Sequence, residues 1–144
     1  MEEQVAPRDG RLAYLLFRAL LGINICLHGM TRLAAGDSKF AGTIVAQFSQ
    51  TILPHGLVAV FGLGLPWAEA VIGFLLTLGL LTRAALTAGF LVMLLLMFGT
   101  CLAQNWQVAG LQLIYGMAYG ALLFLLPYNT WSIDAVFGWS GGER

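Results

Sequence analysis

Four long stretches of apolar residues dominate the chain. They cover residues 12–31, 57–81, 84–103 and 107–127. Each is close to the roughly 20 residues that a helix needs to cross the hydrocarbon core of a bilayer. None has the alternation of apolar and polar positions that a membrane-spanning strand requires. The pattern therefore predicts an all-α integral membrane protein, a four-helix bundle that forms a single transmembrane domain over residues 1–144.

A shorter pattern lies between the first and second spans. Phe40, Ile44, Phe48 and Ile52 recur every four residues, and polar residues occupy the other faces. This spacing predicts a short amphipathic helix over about residues 38–53 that lies in the membrane interface. Two interpretations are open for it, a lid over the entrance of a ligand pocket or a connector that covers the end of the bundle.

Small residues recur at four-residue spacing within two of the predicted spans. Gly116 and Gly120 lie in the fourth span, and Ala85 and Gly89 lie in the third. Such pairs let helix backbones approach closely, which favours helix association in lipid. The spacing therefore predicts close helix contacts at these positions, and the alternative is that Gly and Ala are simply frequent in membrane helices.

Composition narrows the possible classes of protein. Apolar residues make up 59% of the chain and charged residues 10%, against about 45–50% and about 25% in soluble domains. So little polar surface cannot coat a soluble domain of this size. The formal net charge is zero and no basic patch is present, which excludes a nucleic-acid partner. The expected partner of this surface is the lipid bilayer.

An even number of spans places both ends of the chain on one side of the membrane. The cations expected on that side are Arg8, Arg11, Arg83 and Arg144. The opposite loops carry fewer, namely Arg32 and Lys39. Because cytoplasmic segments carry an excess of arginine and lysine, both termini are predicted to be cytoplasmic.

Ionisable residues inside the predicted spans are costly in lipid and therefore informative. Arg18 and His28 share a face of the first helix with Arg32, and Glu69 shares a face of the second helix with Arg83. In an antiparallel pair of helices the long side chain of Arg18 can reach Glu69. The sequence thus predicts a structural ion pair between Arg18 and Glu69.

Each of these side chains also has a second interpretation. Glu69 is either a proton acceptor or ligand-binding carboxylate, or only the buried partner of Arg18 that fixes the helix register. His28 is either a ligand-binding or a structural group. Arg83 is either a functional group or a cytoplasmic anchor for the topology.

A second polar group lies at the turn between the third and fourth spans. It comprises Gln104, Asn105 and Trp106, and Tyr115 follows on the fourth helix. Hydrogen-bonding groups beside aromatic rings suit a quinone-like headgroup, whose carbonyl oxygens need donors. The alternative is hydrogen bonding between helices. Two histidines on separate segments do not supply paired haem ligands, so no haem or metal site is expected.

These residues together resemble a known family of small four-helix membrane proteins, the DoxX/DoxD family. The resemblance rests on Arg18…Gly22…His28-Gly29…Arg32 and on Pro66…Glu69…Gly73…Gly79-Leu80…Thr82-Arg83-Ala84-Ala85. Gln104-Asn105 and Trp131-Ser132-Ile133-Asp134 are similar to the family's closing segments. The chain departs from the family in having Arg32 where a lysine is common and a single Gly73 where a pair is frequent.

The resemblance implies a multi-pass protein of a bacterial or archaeal cytoplasmic membrane that is linked to quinone redox chemistry. One branch of the family is similar to the membrane subunit of thiosulfate:quinone oxidoreductase. The family positions that carry over to this chain are His28, Arg32, Glu69, Arg83 and Asn105.

Three functions follow as expectations. The first is a subunit that passes reducing equivalents, for example from thiosulfate, to membrane quinone. In it His28 and Asn105 contact the headgroup, Arg32 stabilises negative charge and Glu69 handles protons. The second is a non-catalytic anchor or assembly subunit, and the third is a pathway for a small solute or proton. The expected partners are another protein subunit and, as a further option, a second copy of the chain.

Overall fold

Four long helices form the body of the protein. The computed structural model describes residues 8–138, so Arg144, counted above among the cations, lies outside the described residues. The elements are α1 (Arg8–Ala35), α2 (Asp37–Gln47), α3 (His55–Leu78), α4 (Thr82–Leu102), α5 (Trp106–Phe124), a 3-10 turn (Leu126–Tyr128) and α6 (Ile133–Val136). The helices α1, α3, α4 and α5 are long and apolar enough to cross a membrane. The predicted fold class is confirmed.

The bundle has two distinct ends. The terminal end carries the start of α1, the turn between α3 and α4, and residues 125–138. The loop end carries α2 and the turn between α4 and α5. Apolar side chains from all four long helices meet between the two ends, among them Leu21, Ile25, Ile72, Leu76, Leu86 and Leu122. Large apolar side chains also cover the outside, as lipid requires.

The short helix after the first span, α2, is shorter than the sequence predicts. Helix α2 ends at Gln47, whereas the four-residue spacing extends it to 53. The Ser49 hydroxyl donates to the carbonyl of Ala46, and the Thr51 hydroxyl donates to the carbonyl of Phe48. These local bonds replace the next helical turn.

Helix α2 packs onto the bundle through small residues. Ala41 is buried against Gly62 of α3, and the Phe48 ring is buried against Gly99 of α4. The helix therefore crosses α3, and Phe48, the residue after its last turn, contacts α4 at the loop end.

The closest approach of two helices is between α1 and α3, and the predicted glycine pair is not part of it. A Cβ at Gly73 would lie within 3.0 Å of the backbone of Cys26, and one at Gly22 would do the same at Thr77. Nothing lies within 4 Å of such an atom at Gly116. The close contact predicted for Gly116 is thus corrected, because that residue faces away from the other described helices.

Candidate functional site

The most buried charge pair of the bundle joins α1 to α3. Arg32 Nη1 donates to Glu69 Oε1 at 2.6 Å and contacts Oε2 at 2.5 Å. The Glu69 side chain is 5% exposed and that of Arg32 is 29% exposed. Within residues 8–138 this is the one ion pair. A carboxylate at this depth in an apolar bundle requires such a partner.

Aromatic and imidazole groups of three helices lie near this pair. The Arg32 guanidinium lies 4.6 Å from the centre of the Phe40 ring of α2, a cation–π arrangement. His28 of α1 and Tyr119 of α5 both lie within electrostatic range of the Glu69 carboxylate. We call His28, Arg32, Phe40, Glu69 and Tyr119 the Glu69 cluster.

The predicted ion pair between Arg18 and Glu69 does not form. Arg18 is 1% exposed and donates to the carbonyls of Leu76, Thr77 and Trp131 instead. Leu76 is seven residues beyond Glu69 on α3, which is about 10 Å along a helix. Arg18 therefore satisfies the last carbonyls of α3, which have no partner within their own helix and attract a cation.

A matching anion caps the start of α4. Both carboxylate oxygens of Asp134 accept backbone N–H groups, those of Leu81 and Thr82, each at 2.7 Å. Asp134 N–H also donates to the carbonyl of Gly79 at 2.9 Å. The turn between α3 and α4 is thus held by Arg18 on one side and Asp134 on the other.

Sequence reasoning did not assign this role to Asp134 or to Asn129. The Asn129 amide donates to the Thr82 hydroxyl at 3.1 Å, and both residues are buried. The signal in the sequence is Gly79, the residue type suited to the left-handed backbone found there (φ 67°), followed by Leu81, which cannot cap α4 with its side chain. We call Arg18, Thr82, Asn129 and Asp134 the turn cluster.

Two further polar contacts join neighbouring helices. The Tyr115 hydroxyl of α5 donates to Asn24 of α1 at 3.0 Å. The Thr100 hydroxyl of α4 lies 2.5 Å from the Gln112 side-chain oxygen of α5. Tyr115, a predicted ligand-binding residue, is therefore engaged in hydrogen bonding between helices.

Of the three predicted residues at the turn between α4 and α5, Asn105 caps the local helix. The Asn105 side chain accepts the N–H of Val108 at 3.3 Å and so caps α5. Gln104 has a positive φ of 54°, and the Trp106 side chain is 67% exposed. Among the residues that the structure describes, no hydrogen bond joins this turn to His28.

Arg83 lies far from the Glu69 cluster. It is exposed in the first turn of α4, at the terminal end. The end of α3 at Leu78 is nine residues from Glu69, about 14 Å along the helix. The structure therefore does not place Arg83 and Glu69 in one catalytic site.

An open groove of about 250 Å³ lies beside Arg32, between the end of α1 and the start of α2. It is lined by Thr31, Arg32, Ala35, Gly36, Lys39, Phe40 and Thr43. No group of three or more His, Cys, Asp or Glu side chains that could hold a metal ion occurs within the described range of 8–138. What this end offers a ligand is therefore two cations and an aromatic ring, because the Thr31 and Thr43 hydroxyls donate to backbone carbonyls of their own helices.

Comparison with known proteins gives one result. The family model described as DoxX matches residues 13–103, which is more than half of the chain. The match contains His28, Arg32 and Glu69 and ends before Tyr119 and Asp134. No curated protein and no solved structure matches.

Proposed function

The chain belongs to the DoxX family, and from this premise and the Glu69 cluster we propose that it is a membrane subunit of a quinone-linked oxidoreductase. A partner subunit oxidises a reduced sulfur compound such as thiosulfate and delivers two electrons. Membrane quinone takes up those electrons with two protons and leaves as quinol.

The observation that carries this proposal is the incomplete engagement of Arg32. Its contact with Glu69 uses Nη1 alone, and Nη2 and Nε make no hydrogen bond with any described residue. A guanidinium that is 29% exposed can therefore donate to a quinone carbonyl oxygen while it stays paired. The same positive charge stabilises the negative charge that develops on that oxygen during reduction.

Glu69 and His28 supply groups that exchange protons next to that position. The Glu69 carboxylate is held by Arg32, and His28 lies in its electrostatic range. His28 is exposed on the outside of α1, where lipid-dissolved quinone arrives. Carboxylate and imidazole are the usual groups for general acid–base transfer. In this proposal His28 binds the headgroup and Glu69 takes part in proton uptake.

Binding of a quinone analogue to the purified protein tests the proposal. We expect His28→Ala and Arg32→Gln each to weaken binding about tenfold, the value of one hydrogen bond. Arg83→Gln removes the same kind of charge at the other end of the bundle and should leave affinity unchanged. Absence of saturable binding, or equal affinity of the His28 variant and the wild type, would refute the proposal.

The hydrogen bonds between helices favour a second candidate, a non-catalytic anchor or assembly subunit. Tyr115–Asn24, Thr100–Gln112 and Arg32–Glu69 fix the register of the helices. Under this alternative a partner protein co-purifies in mild detergent, and quinone extracted with the complex is independent of His28.

Location and orientation belong to the same proposal. The protein resides in a bacterial or archaeal cytoplasmic membrane, with the terminal end towards the cytoplasm. Arg8, Arg11 and Arg83 support this orientation, because these three cations lie at the terminal end while two, Arg32 and Lys39, lie at the loop end.

A further inference from the structure

The charged side chains that line the groove beside Arg32 are all cationic. Its lining contains two cationic side chains, Arg32 and Lys39, and two hydroxyl side chains, Thr31 and Thr43. No acidic side chain lines it. Asp37, the neighbouring acid in the sequence, accepts the N–H of Ser38 and is outside the lining.

Both cations have capacity for an anion. Lys39 makes no ion pair with any residue in the described part of the chain. Arg32 spends Nη1 on Glu69, and its other two nitrogens make no hydrogen bond there. The groove therefore presents at least one unneutralised positive charge and unused guanidinium donors.

The groove also lies near the boundary between acyl chains and headgroups. Helix α2 crosses α3 at Gly62, seven residues from the first residue of α3, or about 10 Å along the helix. Amphipathic helices sit at this depth, with their long cationic side chains directed towards the headgroups.

A lipid-facing stripe of α1 leads to the groove. Leu20, Ile23, Leu27 and Met30 are all exposed and follow one another at helical spacing. The stripe ends beside Thr31, which lines the groove. An acyl chain that lies along this stripe places its own headgroup at Arg32 and Lys39.

We propose that the groove binds the phosphate headgroup of an anionic phospholipid, and that Lys39 and Arg32 are its cationic contacts. Ala35 and Phe40 provide the apolar part of the lining, next to the glycerol and the first acyl carbons. A zwitterionic lipid binds less well, because its own cation would meet Lys39 and Arg32. This site takes a structural lipid and shares Arg32 with the proposed quinone site, whereas Lys39 is a contact of the lipid alone.

Lys39 permits a clean test because it is the single lysine of the chain. Binding of phosphatidylglycerol and of phosphatidylcholine with identical acyl chains is measured for the detergent-purified protein by native mass spectrometry. We expect tighter binding of phosphatidylglycerol, and a loss of about fivefold in Lys39→Gln, the value of one cation near a charged lipid surface. Lys39→Arg should retain affinity, and Arg83→Gln, at the terminal end, should match the wild type.

Inorganic phosphate is the third ligand in this experiment, and it is added at millimolar concentration as a competitor of the lipid. Undiminished lipid binding supports the proposal, whereas full displacement by phosphate means that the groove is a site for free phosphate and overturns it. Equal affinities for the two lipids, or equal losses in Lys39→Gln and Arg83→Gln, also overturn it. Because Lys39 is not part of the Glu69 cluster, a Lys39→Gln result that overturns the lipid proposal leaves the quinone proposal untouched.

Discussion

Arg32 and Glu69 are buried to different extents, and this difference predicts unequal effects of removing each one. Arg32→Gln leaves a carboxylate that is 5% exposed without its partner, whereas Glu69→Gln leaves a guanidinium that is 29% exposed. We expect Arg32→Gln to lower the free energy of unfolding by about 3 to 5 kcal/mol, and Glu69→Gln by clearly less. Thermal unfolding of both variants in the same detergent measures which of the two loses more stability. The reverse order would contradict the geometry of the pair.

Coupling between residues distinguishes the observed ion pair from the predicted one. The double variant Arg32→Gln/Glu69→Gln should lose less stability than the sum of its single changes, because the second change removes the charge that the first one left isolated. Arg18→Gln/Glu69→Gln should be additive, because the two side chains are about two helical turns apart in depth. Measurable coupling between Arg18 and Glu69 would restore the pair predicted from the sequence.

The sequence identified the right ionisable residues and the wrong pairing. Helical spacing placed Arg18, Arg32 and Glu69 on facing surfaces, since that depends only on the period of the helix. It did not fix their relative depth, which depends on how far α1 slides along α3. Gly22 and Gly73 set that offset through backbone contacts. It brings Arg32 level with Glu69 and leaves Arg18 at the end of α3.

Packing between whole helices gives the next prediction, with glycine as the probe. Gly73→Ala places a methyl group against the backbone of Cys26, which cannot move without shifting α1. We expect it to lower the free energy of unfolding by about 2 kcal/mol. Gly116→Ala is the matched control, because its methyl group meets nothing within 4 Å, and it should be neutral or slightly stabilising. Equal changes in the free energy of unfolding for the two variants would contradict a tight contact between α1 and α3.

The start of α4 depends on a residue from the other end of the chain. Asp134→Ala removes the acceptor of the Leu81 and Thr82 amides, and we expect a loss of about 1 to 2 kcal/mol. Hydrogen exchange of these amides should accelerate, while exchange in the middle of α4 changes little. Asp9→Ala is the control, an acidic residue in the first turn of α1. Unchanged exchange at Leu81 and Thr82 would contradict the capping role.

At the level of elements, hydropathy predicts the long helices that burial in lipid requires. It misses the helix ends and turns that depend on single contacts. The four spans follow from the length of the apolar runs, because every backbone polar group in lipid must be satisfied within a helix. The end of α2 depends on the Ser49 and Thr51 hydroxyls, and the turn cluster depends on Asn129 and Asp134. Such bonds join residues whose spatial relation no periodicity encodes.

Across the whole molecule, polar groups are concentrated at two depths with the apolar core between them. The turn cluster closes the terminal end, and the Glu69 cluster lies nearer the loop end beside the groove. Core residues such as Ile72 and Leu76 separate the two on α3. The proposed ligands belong to the loop end, where Arg32 has guanidinium donors without a partner among the described residues.

Because the two ends differ, the chemical accessibility of one side chain, Lys39, reports the orientation of the protein in the membrane. If the terminal end faces the cytoplasm, Lys39 lies on the outer side. An amine reagent that does not cross membranes should then modify Lys39 in intact cells from which the outer envelope has been removed. In the double variant Lys39→Arg/Arg83→Lys the single lysine moves to the terminal end, and it should react only after the membrane is permeabilised. The opposite result is labelling of the lysine at position 83 in intact cells together with protection of Lys39 in the wild type. It would show that the bundle is inserted the other way round, with the groove and the Glu69 cluster towards the cytoplasm.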